Sequence, residues 1–319
     1  MSVVDLRDAA AQPAFTCPLP LCASHLELQF RAPVPLAEYP LVTLSGLLGY
    51  AVLRHFHPKL PPGVNPPADS PYWPILRPGE GGGGRGSEGP GVVLTCRPGA
   101  GAALALRFSL RTVGEHVAYH EFLLERLEDF EEKGFGTPPT PYVLAPVHGA
   151  NEPPPWAPEW QPDFAGAFLL RLVTPLHLTQ DKQDVHGLMQ RGEPLMLFGR
   201  QIPGEIFVLY HLLRSTRSRL DGLAQRAGVP VEMDSLFRDN TALLRLLERE
   251  VFVLRSSFEI YDGYRRSSRT NSEVSIGGLL GFMEMEAPPA IQQFLHAAAL
   301  LGVGKKVAHG NGRVDVTQL

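Results

Sequence analysis

The chain has 319 residues, 44% of them hydrophobic and 19% charged, an ordinary balance that excludes disorder over its whole length. Its formal charge of -4 excludes a general basic field, so a nucleic-acid site has to be a local patch. No apolar run approaches the about 20 residues of a membrane-spanning helix, and the start MSVVDLRDAAAQP lacks a basic then apolar leader, so the chain reads as cytoplasmic, with no membrane partner.

In chain order, an extended segment at 25–33 (HLELQFRAP) precedes a helix at about 41–56 (LVTLSGLLGYAVLRHF). Two β-rich runs, GVVLTCRP and ALALRFSLRT, lead into a strongly patterned helix, HVAYHEFLLERLEDFEEKG, and a closing strand, TPYVLAPV. The order is βαββαβ, the split unit of ferredoxin-like folds, so the class is α+β with helices on one face of an antiparallel sheet. Between the first helix and the first β-rich run, LPPGVNPPADSP and PGEGGGGRGSEGPG read as long loops, mobile at Gly81 to Gly84. NEPPPWAPEWQP reads as a linker at about 151–163, dividing an N-terminal domain, 1–150, from a C-terminal one, 164–319.

Beyond the linker the order is similar. Strand AFLLRLVTP is followed by helices across 205–228 and 234–250, strands FVLRSSFEIYDGYRR and EVSIGGLLGFMEM, and helix PAIQQFLHAAALLGV; a terminal strand RVDVTQL closes the chain. Between that helix and that strand lies LLGVGKKVAHGNGRV, where Gly302, Gly304, Gly310 and Gly312 bracket Lys305 and Lys306. Glycines let backbone approach a ligand, and a concave row of amides with two ammonium groups suits a phosphate chain. A nucleotide phosphate loop is disfavoured, since that motif lies between a strand and the helix it opens. A plain turn with solvated lysines stays open.

The segment YRRSSRTNSEVSIGGLLGF sets Arg265, Arg266 and Arg269 beside Ser267 and Ser268 with no acid before Ser272. Guanidinium forks and hydroxyls are the usual donors to phosphate oxygens. A solvated turn explains the cluster equally well.

Together, the TP ending a strand at Thr174 and Pro175, the block from Arg265 to Gly281, and LGVGKKVAHGNGR resemble the CRISPR-associated Cas six family of the RAMP superfamily, precursor-crRNA processing endoribonucleases. LSGLLGYAVLRHF resembles its opening helix and FEEKGFGTPPTPYVLAPV the close of its first domain. The resemblance runs from about residue 25 to the end. It implies two tandem ferredoxin-like (RRM-like) domains, a CRISPR repeat RNA partner, and one metal-independent cut by 2′-OH attack giving a 2′,3′-cyclic phosphate and a 5′-OH, with no cofactor. It also implies RNA contacts from Arg265, Arg266, Ser268, Arg269, Gly302, Gly304, Lys305, Lys306, His309, Gly310, Gly312 and Arg313.

In many members the catalytic histidine lies in or just after the first helix, here YAVLRHFHPKL. His55 and His57 compete. Pro58 biases His57 out of the helix, which favours His57 over His55 as the acid or base. Lys59 is the candidate cation and Tyr50 a candidate hydrogen-bonding phenol, although each also reads as an ordinary solvated or core-edge side chain. Three cysteines, Cys17, Cys22 and Cys96, show no C-x-x-C pair, and no carboxylate completes a site beside His55 and His57, so no metal is expected. His116 and His120, one helical turn apart, are expected on an exposed face. The alternative to an enzyme is a non-catalytic crRNA-binding subunit, accompanied by other CRISPR effector proteins.

Overall fold

A computed structural model describes residues 14–36, 40–61, 64–76, 91–96, 101–136, 138–147, 166–180, 183–266, 273–275, 277–304, 307 and 311–319. The elements of the first half are β1 (Phe15–Thr16), β2 (Leu21–Leu36), α1 (Pro40–Phe56), α2 (Tyr72–Leu76), β3 (Val92–Cys96), β4 (Gly101–Val113), a 3-10 turn (Gly114–Tyr119), α3 (His120–Glu128) and β5 (Tyr142–Pro146). The second half holds β6 (Phe168–Leu176), β7 (Thr179–Gln180), β8 (Gln183–Asp184), α4 (Val185–Gln190), β9 (Met196–Leu197), β10 (Arg200–Gln201), α5 (Gly204–Ala227), β11 (Glu232–Met233), α6 (Ser235–Arg238) and α7 (Asn240–Glu250). It closes with β12 (Phe252–Tyr261), β13 (Tyr264–Arg266), β14 (Glu273–Ser275), β15 (Gly278–Glu286), α8 (Pro289–Leu301) and β16 (Val314–Gln318).

Two four-stranded antiparallel sheets organise these elements, in the orders β3-β4-β2-β5 and β12-β15-β6-β16. Each sheet has its second strand outermost, then its third, first and fourth, with α1 and α3 in the two long connections of one and α5, α7 and α8 in those of the other. The chain is therefore a mixed α/β protein in which one strand order occurs twice. In the first core Leu41, Leu44, Leu48 and Val52 turn one face of α1 onto Leu26, Leu28, Leu106 and Leu110, the stripe that spacing by three and four residues produces. The second core is built on Phe168, Leu170 and Leu172 beneath Phe207, Leu295 and Phe294.

Three details depart from expectation. The helix foreseen from 116 to 134 is a 3-10 turn followed by α3, which stops at Glu128. His116 and His120 are 0% and 3% exposed rather than solvated. The ring of His116 meets the Pro74 carbonyl through Nε2 at 2.9 Å, its Nδ1 being buried without a hydrogen bond, while His120 bridges the Ser24 and Thr112 hydroxyls at 2.8 and 2.9 Å, so burial is met with hydrogen bonds at three of the four ring nitrogens. Residues 14–19 leave the first half altogether: β1 pairs with β11, and Phe15 and Leu19 join the second core. Gly81 to Gly84 and the segment 151–163 lie outside the described residues.

Candidate functional site

The exit of α1 is where the first-helix candidates meet. The chain leaves the helix at His57, whose amide still bonds the Leu53 carbonyl at 2.8 Å. Arg54 ties the exit down: its Nη1 donates to the carbonyls of Pro58 and Leu60, both at 2.9 Å, and its Nε donates to the Tyr50 hydroxyl at 2.8 Å. One guanidinium thereby satisfies two carbonyls of the loop that follows the helix and fixes a phenol beside them. Tyr50 is 45% exposed and edge-on to Phe130, so its hydroxyl keeps a donor proton for a ligand.

His57 is half-buried and its Nε2 stands 2.6 Å from the Ser70 hydroxyl. Ser70 itself is buried and accepts the Tyr72 amide at 3.2 Å, so the hydroxyl is an orienting partner rather than a nucleophile. Among the described residues Nδ1 of His57 has no hydrogen-bond partner. With the proton on Nε2, that nitrogen is an acceptor open to a substrate hydroxyl. Lys59 is exposed one turn further on.

His55 is exposed but differently employed. Its Nδ1 faces the Arg126 guanidinium, and its ring stands edge-on to Phe56 and Phe122 with centroids 4.9 and 5.1 Å away. A guanidinium only donates, so Nδ1 accepts and the ring proton sits on Nε2. The arrangement leaves His55 a donor at Nε2, while His57 in the Nε2-protonated tautomer offers a lone pair at Nδ1.

The glycine loop is assembled differently from the amide cradle expected of it. Gly302 donates to the Ala298 carbonyl at 2.8 Å, Val303 to Gly312 at 2.9 Å, Gly312 to Pro175 at 3.0 Å and Gly304 to the Ser215 hydroxyl at 2.9 Å. Those four amides are consumed inside the protein. Glycine is needed at 312 for closeness: φ is +75° and an added Cβ would lie 1.7 Å from the Val303 oxygen. Arg313 is likewise engaged, with Nη1 on the Cys96 carbonyl at 2.6 Å and Nε and Nη2 on Asp315 at 3.1 and 3.0 Å. Its amide is held by the Thr174 hydroxyl at 2.9 Å, so the TP dipeptide is the latch of the loop.

The first-helix cluster and the loop are not brought together. Cys96, whose carbonyl anchors Arg313, accepts the Leu41 amide at the start of α1, whereas His57 follows its end, and the 17-residue helix is about 24 Å long. The buried thiol of Cys96 is pushed up to about 11 by desolvation and is inert. Arg265 and Arg266 lie in β13, paired with Val274 and Glu273 of β14, so these two stand on one strand of an antiparallel pair. Ser268, Arg269, Lys305, Lys306, His309 and Gly310 lie outside the described residues. Sequence reasoning missed Ser70 and Arg54, because the contacts that give them meaning join a helix end to a loop and carry no spacing signature.

No protein-family model matches the sequence, and neither does any curated protein. Solved structures do match in fold. A Cas6 product complex aligns over 92% of this chain and 98% of its own at 16% identity, with a TM-score of 0.50. Chains of a partial and a full Cas6-RT-Cas1–Cas2 complex align over 94% of this chain at 11% identity and a TM-score of 0.53, and this chain spans 46% and 29% of their lengths. Over most of its length the chain thus shares a fold with these proteins.

Proposed function

We propose that this chain is a Cas6-family protein of two tandem ferredoxin-like domains, divided near 151–163, that binds CRISPR repeat RNA and cuts it without a catalytic metal. The observation that carries the reading is the likeness to a Cas6 product complex over nearly the whole of both chains. His57 takes the proton of the attacking 2′-OH at Nδ1 while Ser70 holds its ring. The 2′-oxygen bonds to phosphorus, the 5′-oxygen leaves and gains a proton from the Tyr50 hydroxyl or water, and Lys59 offsets charge on the pentavalent phosphate. The grip comes from the β13–β14 hairpin with Arg265, Arg266, Ser268 and Arg269, and from Lys305, Lys306 and His309 of the loop.

A second reading, a crRNA-binding subunit that does not cut, is favoured by the length of α1 separating His57 from the loop. Repeat RNA incubated with the protein in EDTA separates the two. Cleavage that is abolished by a 2′-deoxy sugar at the scissile nucleotide and by His57→Ala, with RNA affinity retained, supports the enzyme; removing one acid–base group costs about 10²- to 10⁴-fold in rate. Binding without cutting supports the second reading. Cutting restored only by added Mg²⁺, or lost in His55→Ala and not in His57→Ala, overturns the assignment.

A further inference from the structure

We infer that His177, Asp184 and His186 form a divalent-metal site of the zinc class, built where β6 ends and separate from the cluster at His57. The three residues offer ligand atoms that lie within 4.8 Å of one another. They come from the residue after β6, the last residue of β8 and the first turn of α4, so neither a helical nor a C-x-x-C spacing announces them in the sequence.

Three observations point to a cation. Nδ1 of His177 lies 3.1 Å from the Gly277 carbonyl, which can only accept, so the ring proton of the neutral imidazole is on Nδ1 and Nε2 presents a lone pair. That lone pair faces Asp184 Oδ1 at 3.0 Å, and a carboxylate oxygen brings only lone pairs of its own. Two acceptors so close require a proton or a metal between them, and zinc bonds of about 2.0–2.2 Å to nitrogen and oxygen at nearly a right angle span that gap.

Second, His186 is 7% exposed, its Nδ1 is buried without a hydrogen bond, and its ring centroid is 5.4 Å from that of His177. A proton shared by His177 and Asp184 leaves this nitrogen unsatisfied, whereas a metal gives the second ring a reason to be there. Third, Asp184 holds the N-cap position of α4 yet makes no capping hydrogen bond. Aspartate is among the best residues for that bond; here the carboxylate is turned towards His177 instead. Its side chain is 46% exposed, which leaves a route for the ion and room for water as a fourth ligand. The Gly277 carbonyl supplies the outer partner that orients a metal-binding histidine.

The position suggests the ion's work. An added Cβ on Gly304 would lie 2.8 Å from the His177 carbonyl, and Gly277 immediately precedes β15. A metal there ties the end of β6, the start of β15 and α4 into one unit beneath the glycine loop.

The test uses the full chain without a polyhistidine tag, stripped of metal and titrated with Zn²⁺ and Co²⁺ against a chromophoric chelator. Expected are about one tightly held zinc per chain, visible Co²⁺ absorption of a low-coordinate N/O site, and a melting temperature that rises with Zn²⁺. Asp184→Asn and His186→Asn each weaken zinc at least about tenfold and abolish the Zn²⁺-dependent shift, with unchanged circular dichroism. Because Asp184 is half-exposed, its variant keeps the test valid if His186→Asn does not fold. A folded wild-type chain that takes up no zinc, or an Asp184→Asn chain that binds it like wild type, overturns the proposal and leaves a plain imidazolium–carboxylate pair.

Discussion

At the scale of single residues, burial and hydrogen bonding separate histidines that look alike in the sequence. Among the described residues one nitrogen of His57 has no hydrogen-bond partner, while a buried hydroxyl steadies the ring. Ser70→Ala removes that steadying contact without touching phosphate, so the cleavage rate should fall by about tenfold or more with RNA affinity unchanged, read by single-turnover kinetics beside a binding isotherm. An equal fall in affinity would mark Ser70 as part of the docking surface. Gly312 makes the opposite kind of demand. Gly312→Ala meets both a left-handed backbone and the Val303 carbonyl, and urea unfolding should show a loss above about 2 kcal/mol; a loss well under 1 kcal/mol would mean that the loop relocates freely. In the sequence the choice between His57 and His55 rests on Pro58, which predicts the helix exit, and α1 does end at Phe56. The partners that distinguish the two rings, Ser70 and Arg126, stand 13 and 71 residues away in sequence.

At the scale of elements, periodicity located both sheets and the long helices, because each buries one face and the apolar spacing records it. The two-residue strands β1, β7, β8, β9, β10 and β11 left no such record, being too short for a pattern and held by tertiary contacts. The run from Phe252 to Arg266 reads as one strand but breaks at Asp262 and Gly263, where the chain leaves the sheet to form the β13–β14 hairpin. The exit of α1 depends on a side chain that reaches back to the main chain. Arg54→Lys keeps the charge but loses the fork that spans Pro58 and Leu60, so hydrogen exchange in residues 57–60 should quicken and stability should fall by about 1 kcal/mol. Exchange unchanged in Arg54→Lys would show that Pro58 alone shapes the turn.

At the scale of the whole molecule, the halves are stitched together by contacts that no local pattern reveals. The Gln293 side chain accepts the Ala14 amide at 2.7 Å and donates to the Phe15 carbonyl at 2.9 Å. Arg226 meets Glu115 at 3.0 Å, and Arg111 reaches the Ala299 carbonyl at 3.1 Å. Desolvation lowers Arg111 to about 10, a guanidinium still charged at neutral pH. Burial also holds His116 and His120 below the ordinary imidazole range and lowers His296 to about 4. Because these rings bind protons more readily unfolded than folded, their contribution is complete above the unfolded value near pH 6.5. Stability should fall as pH drops from there towards 4, and His296→Gln should make that slope shallower in urea titrations between pH 4 and 8. An unaltered slope would show that other groups dominate acid unfolding.

The helix α1 also acts as a spacer of fixed length. It sets the turn bearing His57 at one end and the Cys96 carbonyl that anchors Arg313 near the other. A single strand lying along it with stacked bases, rising about 3.4 Å per nucleotide, covers about seven nucleotides between the two ends. On the proposed function, an RNA gripped beside the loop and cut at His57 would have its cleavage point measured off by protein geometry rather than by base identity. Moving the grip by a few nucleotides should move the cut by the same number. A cut that stays on one dinucleotide whatever the register of the grip would show that the RNA takes another path.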